Sequence, residues 1–182
     1  DVTLSEPLTL AAGKTLELDL NGFKISAAFE KGSTERHHYT FENRGTFIVK
    51  DSKGNGQIIS RGNHNYGAMT LESGSIVACD GDGGYGVRNY EGATFVMNGG
   101  SISTSLEDDH QVNNGGYDAT TLRVDNGAKA TINGGTITNV SNFTIALDNY
   151  GDTTINGGEF TSAHTVIGNE AAGATLTIND GK

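Results

Sequence analysis

Cysteine occurs once in this chain, at Cys79, so no disulfide can form within it and small disulfide-stapled folds are excluded. Proline also occurs once and tryptophan is absent, a composition that suits thin layers of strands with many tight turns. Large apolar residues are scarce enough, at 35% hydrophobic overall, to exclude a thick globular core. Basic residues number 12 against 22 acidic ones, a net charge of −10. That balance excludes a protein that neutralises nucleic-acid phosphates and one that docks on an anionic membrane. No run approaches the ~20 apolar residues of a membrane-spanning helix. No leader pattern opens the chain, and "DVTLSEPLTL" starts in the middle of a pattern, as expected of a mature or excised segment of a longer protein.

Glycine, by contrast, is plentiful at 27 residues, and much of it recurs in one context. The stretches "FVMNGGSIS", "ATINGGTIT" and "TTINGGEFT" are near copies. Asn133, Asn156 and Asn179 are spaced by 23 residues, and Asn98 precedes Asn133 by 35. Asn21 in "LDLNGFKIS" reads as the earliest member. A second series, Asn43, Asn65, Asn89, Asn126, Asn149 and Asn169, steps by 22, 24, 37, 23 and 20 residues. Both series lengthen across 104–118, so one insertion explains both and the repeat is genuine.

Within each period the residues alternate as strands do. Before Asn-Gly-Gly, the inward pairs are Leu18/Leu20, Phe47/Val49, Met69/Leu71, Phe95/Met97, Ala130/Ile132, Thr153/Ile155 and Leu176/Ile178. After it, Ile25, Ile58, Ile76, Ile102, Ile137 and Phe160 share one position, and a third strand carries Phe41, Val87, Val124, Leu147 and Ile167. Equivalent residues at a fixed step require stacked coils, each residue above its counterpart by about 4.8 Å. The expectation is an all-β, single-stranded parallel β-helix filling residues 1–182 as one domain, with about seven rungs of ~23 residues and three short strands per rung.

This combination of 23-residue rungs, "INGGTIT" turns and a recurring corner asparagine resembles the right-handed parallel β-helix proteins of the pectate-lyase-like group. It is most similar to non-enzymatic repeat regions of bacterial surface proteins and of some phage virion proteins. The resemblance implies a right-handed coil, a ladder of stacked asparagines at one corner, and an extracellular place on a bacterial cell or a virion. Right-handed parallel crossovers are also the general preference.

A phosphate cradle is the alternative reading of Asn-Gly-Gly, but such loops open a helix and carry a Lys-Ser/Thr pair or a third glycine, and none is here. These residues are therefore read as corners, where asparagine and glycine tolerate positive φ.

Insertions in a solenoid gather on one face, commonly the binding face. The long ones, 27–38, 79–84 and 104–118, all follow the same strand and should emerge at one corner. All five histidines, His37, His38, His64, His110 and His164, map to this corner as well. Asp80, Asp82, Glu107, Asp108 and Asp109 form a candidate Ca²⁺ site, because that ion takes six to eight oxygens. Tyr39, Tyr85 and Tyr117, with His110, Arg88 and Arg123, are the candidate ligand-binding residues, since tyrosine stacks on sugar rings and offers a hydroxyl. Strand-borne outward charges are few: Asp19, Arg88, Arg123 and Asp148, with the two arginines at equivalent positions on successive rungs.

Two functional classes fit. One is a non-catalytic structural or adhesive module that binds a glycan or protein surface, with further rungs or a capping partner beyond Lys182. The other is a polysaccharide lyase or hydrolase, which would need paired carboxylates across a groove. No catalytic pattern is recognisable, so no catalytic residue is assigned. Flat ice-binding ladders are excluded, because "TIT" is answered on other rungs by "SIS", "SIV" and "EFT".

Overall fold

The computed structural model describes residues 1–27, 39–60, 62–79, 84–105, 120–140 and 144–182. Among them are 21 strands in three parallel sheets of seven, visited in turn as the chain winds into a right-handed β-helix. The first sheet holds Val2–Leu4, Lys24–Ala27, Gln57–Ser60, Ser75–Cys79, Ser101–Ser105, Thr136–Asn139 and Glu159–Ser162. The second holds Leu8–Leu10, Phe41–Asn43, Asn63–Asn65, Tyr85–Asn89, Thr120–Val124, Ile145–Asn149 and Thr165–Asn169. The third holds Thr15–Asp19, Thr46–Lys50, Ala68–Leu71, Thr94–Met97, Lys129–Ile132, Asp152–Ile155 and Thr175–Ile178. Each of seven rungs thus gives one strand to each sheet.

The core is the bore of the coil. Ile25, Ile58, Ile76, Ile102, Ile137 and Phe160 pair in register down the first sheet, as the periodicity predicts. Phe47, Met69, Phe95 and Ala130 form one inward column of the third sheet, and Val49, Leu71, Met97, Ile132 and Ile155 the other. Phe95, Ile102 and Leu147 are at most 1% exposed, and burial of each such side chain contributes about 1.5–3 kcal/mol. The three interrupted segments each leave a strand of the first sheet and precede one of the second, so their flanks do share one corner.

Four expectations are corrected by register. Leu16 and Leu18, not Leu18 and Leu20, pair with Phe47 and Val49; Leu20 is instead buried in the first corner, below Gly56. Asp19, paired with Lys50, holds the position that Asn98 takes on a later rung, so Asn21 lies two residues outside the Asn-Gly-Gly series and takes a left-handed φ of 49°. In the second sheet Val87 pairs with Leu122 and Asn89 with Val124. Leu122, rather than Val124, therefore occupies the inward position, and Asn126 lies beyond the asparagine column. The insertion before this strand obscured the two-residue offset.

Both asparagine series are hydrogen-bonded ladders. At the corner between the second and third sheets, Asn43 Nδ2 donates to Asn65 Oδ1 and Asn65 Nδ2 to Asn89 Oδ1, each at 2.7 Å. Asn149 Nδ2 donates to Asn169 Oδ1 at 2.7 Å. Each Nδ2 also reaches a carbonyl of the next rung: Ala68, Thr94, Lys129 and Thr175 for Asn43, Asn65, Asn89 and Asn149. These bonds give each buried amide a second acceptor, at the first residue of a third-sheet strand. The Asn-Gly-Gly asparagines form a second ladder on the exterior with the opposite sense: Asn179 donates to Asn156, Asn156 to Asn133 and Asn133 to Asn98, each at 2.8 Å. In these turns the second glycine carries the positive φ, for example 90° at Gly135. At Gly67 the constraint is proximity, because an added Cβ would lie 2.2 Å from the Gly45 carbonyl oxygen.

Val124 interrupts the inner ladder between Asn89 and Asn149. A buried valine exchanged for an amide ordinarily costs a few kcal/mol. Here the column supplies partners on both neighbouring rungs, so Val124→Asn is expected to change stability by less than about 1 kcal/mol. Urea denaturation checks this, and a loss of about 3 kcal/mol would show that the position does not extend the ladder.

Candidate binding groove

Because strand side chains alternate, the residues flanking the buried asparagines point outward from the second sheet. One column runs Glu42, His64, Arg88, Arg123, Asp148 in cross-strand register. The next runs Arg44, Tyr66, Tyr90, Asp125, Tyr150, Glu170. Its equivalence is fixed by backbone bonds, each N–H donating to the residue before its counterpart on the previous rung: Tyr66 to Asn43, Tyr90 to Asn65, Asp125 to Asn89, and Tyr150 to Val124.

These two columns interlock. The rings of Tyr66 and Tyr90 stack with centroids 4.1 Å apart. Arg44 covers Tyr66 at 4.5 Å, Arg88 covers Tyr90 at 4.5 Å, and Arg123 covers Tyr150 at 4.2 Å. Asp125 stands where the column would otherwise have a tyrosine. Its Oδ2 accepts from Arg88 Nε at 2.9 Å and its Oδ1 from Arg123 Nε at 2.8 Å. Arg123 Nη1 donates to Asp148 Oδ2 at 2.7 Å. The result is an open groove of about 520 Å³, lined by Tyr66, Arg88, Tyr90, Glu91, Arg123, Asp125, Asn126 and Tyr150.

Packing tunes the groove's acids and bases. Burial would lower the Arg88 and Arg123 pKa values, but the bonds to Asp125 outweigh it and hold both guanidiniums charged. Burial, reinforced by neighbouring Tyr66, raises the Tyr90 pKa and keeps its hydroxyl neutral. Asp148 points outward as expected but is only 6% exposed. Burial raises its pKa, and the attraction of Arg123 offsets only part of this. Its Oδ1 has no hydrogen-bond partner among the described residues.

The sequence-predicted site is partly assembled here. Arg88 and Arg123 are paired neighbours in the groove, and Tyr85 lies beneath Arg88, 5.2 Å from its guanidinium. Tyr39 sits further along the face: its ring stacks on His64 at 4.6 Å and its hydroxyl donates to Glu42 Oε2 at 3.2 Å. Burial and Glu42 raise its pKa. His64 belongs to a strand of the second sheet, not to the corner, because it occupies the outward position between two buried asparagines. His164 does sit at the corner, between Glu159–Ser162 and Thr165–Asn169. His37, His38, His110 and Tyr117, with the proposed Ca²⁺ ligands Asp80, Asp82, Glu107, Asp108 and Asp109, lie outside the described residues. Among the described residues no three His, Cys, Asp or Glu side chains gather as a metal-holding group.

Sequence reasoning missed Tyr66, Tyr90, Tyr150 and Asp125. The signal was present: "HNYG", "RNYEG" and "DNYG" each place a tyrosine directly after a ladder asparagine. Comparison with protein-family models, with curated proteins and with solved structures gave no match. The class of the protein therefore rests on its architecture, a right-handed parallel β-helix with a braced aromatic groove on one face.

Proposed function

We propose that the protein is a non-catalytic, extracellular structural or adhesive module of a bacterial surface or virion, and that it binds glycan through the outer face of its second sheet. The observation that carries this reading is the groove in which tyrosine rings, guanidiniums and a carboxylate are braced against one another. Sugar hydroxyls need such in-plane donors and acceptors, and side chains already fixed lose little entropy when a ligand arrives. This reading puts the ligand on the strand face beside the corner loops.

The carboxylates favour binding over hydrolysis. Both oxygens of Asp125 accept guanidinium bonds, and Asp148 is tied to Arg123. Neither is free to act as the acid and base that glycoside hydrolysis needs.

Affinity electrophoresis through polysaccharide-containing gels tests the reading. Tyr90→Ala and Tyr150→Ala should each weaken retention about tenfold, through lost hydroxyl bonds to the ligand and lost bracing of the arginines beside them. Retention unchanged in both variants would overturn the assignment of the groove. Release of reducing ends or unsaturated products would make the protein an enzyme instead.

A further inference from the structure

Resting on that reading, we infer that the ligand is a neutral, hydroxyl-rich polysaccharide that lies along the axis of the coil and spans several sugar rings. Three observations carry this. The first is charge. Arg88 and Arg123 line the groove with Asp125 and Glu91, and Asp148 beneath takes a second bond from Arg123. The two guanidiniums are therefore already neutralised by carboxylates, and the chain as a whole carries −10. A polyanionic glycan would meet repulsion on approach and would find both guanidiniums already paired with Asp125.

The second is which surfaces remain open. The faces of Tyr66 and Tyr90 are stacked on each other and capped by Arg44 and Arg88, while Arg123 takes a face of Tyr150. Ring and guanidinium edges are what the groove presents, so it recognises hydrogen-bonding groups more than flat apolar ones. The terminal nitrogens of Arg88 have no carboxylate partner among the described residues, since its ion pair with Asp125 uses Nε. They are the donors that a neutral acceptor on the ligand would meet.

The third is direction. The lining residues Tyr66, Tyr90, Asp125 and Tyr150 are successive members of one column, each on the next rung. Three rung steps make a groove about 14 Å long, parallel to the axis. That length suits a run of sugars and exceeds a single ring.

The experiment compares the intact chain on gels containing neutral polysaccharides (glucan, xylan, mannan, galactan) and acidic ones (polygalacturonate, alginate, hyaluronan), at low and high salt. Retention by a neutral polysaccharide, insensitive to salt and lost in Tyr90→Ala, is expected. Its oligosaccharides should compete better with each added ring until the groove is filled. Retention by acidic polysaccharides alone would overturn this inference and leave glycan binding standing. A monosaccharide competing as well as longer oligomers would overturn the axial placement. No retention by any polysaccharide would overturn the underlying reading as well.

Discussion

Asn65→Ala is expected to destabilise the coil by roughly 3–5 kcal/mol, the largest loss for any exchange that leaves the apolar bore intact. Asn65 is fully buried. It accepts from Asn43 Nδ2 and from the Gly67 N–H, and it donates to Asn89 Oδ1 and to the Thr94 carbonyl. Alanine keeps none of these bonds. The Gly67 N–H and Asn89 Oδ1 would be left dry and unpaired, at about 1–3 kcal/mol each, and the gap admits no larger neighbour. Asn133→Ala in the outer ladder is the control. Its partners are exposed and water replaces the lost amide, so the cost should stay below about 1 kcal/mol. Urea denaturation of the two variants decides the matter, and similar losses for both would mean that burial does not set the strength of the ladders.

Arg123→Ala should cost about 3 kcal/mol near neutral pH, because it leaves the buried Asp148 carboxylate without its only hydrogen-bonded partner among the described residues. The pH dependence gives the test its sign. Burial raises the folded-state pKa of Asp148, and the nearby carboxylates of Glu170 and Asp125 push the same way against Arg123. A raised carboxyl pKa means the folded state holds the proton more tightly than the unfolded one. Stability therefore falls as pH rises through that window and is recovered as pH drops. Without Arg123 the folded pKa rises further, so the penalty of the variant should be full at neutrality. It should shrink to about 1 kcal/mol well below the ordinary aspartate pKa of about 3.9, where Asp148 is protonated in both states. The remainder reflects the lost contact with Tyr150. Thermal or urea unfolding across that range provides the measurement. A penalty that does not depend on pH would show that Arg123 acts through packing alone.

The coil was legible in sequence because a solenoid repeats its own alignment. Ile58, Ile76, Ile102 and Ile137 could be placed above one another by counting, and the strands pair them so. Counting failed where corner length changed. The first corner displaced Leu20 and Asn21, and the long insertion hid a shift of two residues that exchanges Val124 for Leu122 at the inward position. The groove was only half legible. Arg88 and Arg123 stood out as equivalent strand-borne charges, and they are direct neighbours. Tyr66, Tyr90 and Tyr150 did not, because a tyrosine beside an Asn-Gly corner looks like turn punctuation until the column it joins is known. Asp125 acquires meaning only from the arginines that reach it, across intervals of 37 and two residues.

The missing asparagine at Val124 has a mechanical consequence. In a chain of stacked rungs, tension applied to the two ends passes through every rung in series, and the coil parts where adjacent rungs hold each other least. Between the second, third and fourth rungs, and between the sixth and seventh, the inner corner adds an amide-to-amide bond to the sheet pairing, but the contacts above Asn89 and below Asn149 lack it. A rod pulled lengthwise therefore relies at this fifth rung on the outer ion pairs, Arg88 to Asp125 on one side and Arg123 to Asp148 on the other. The rung held in this way is the one whose Asp125 lines the groove, so a ligand lying across it would act as a splint.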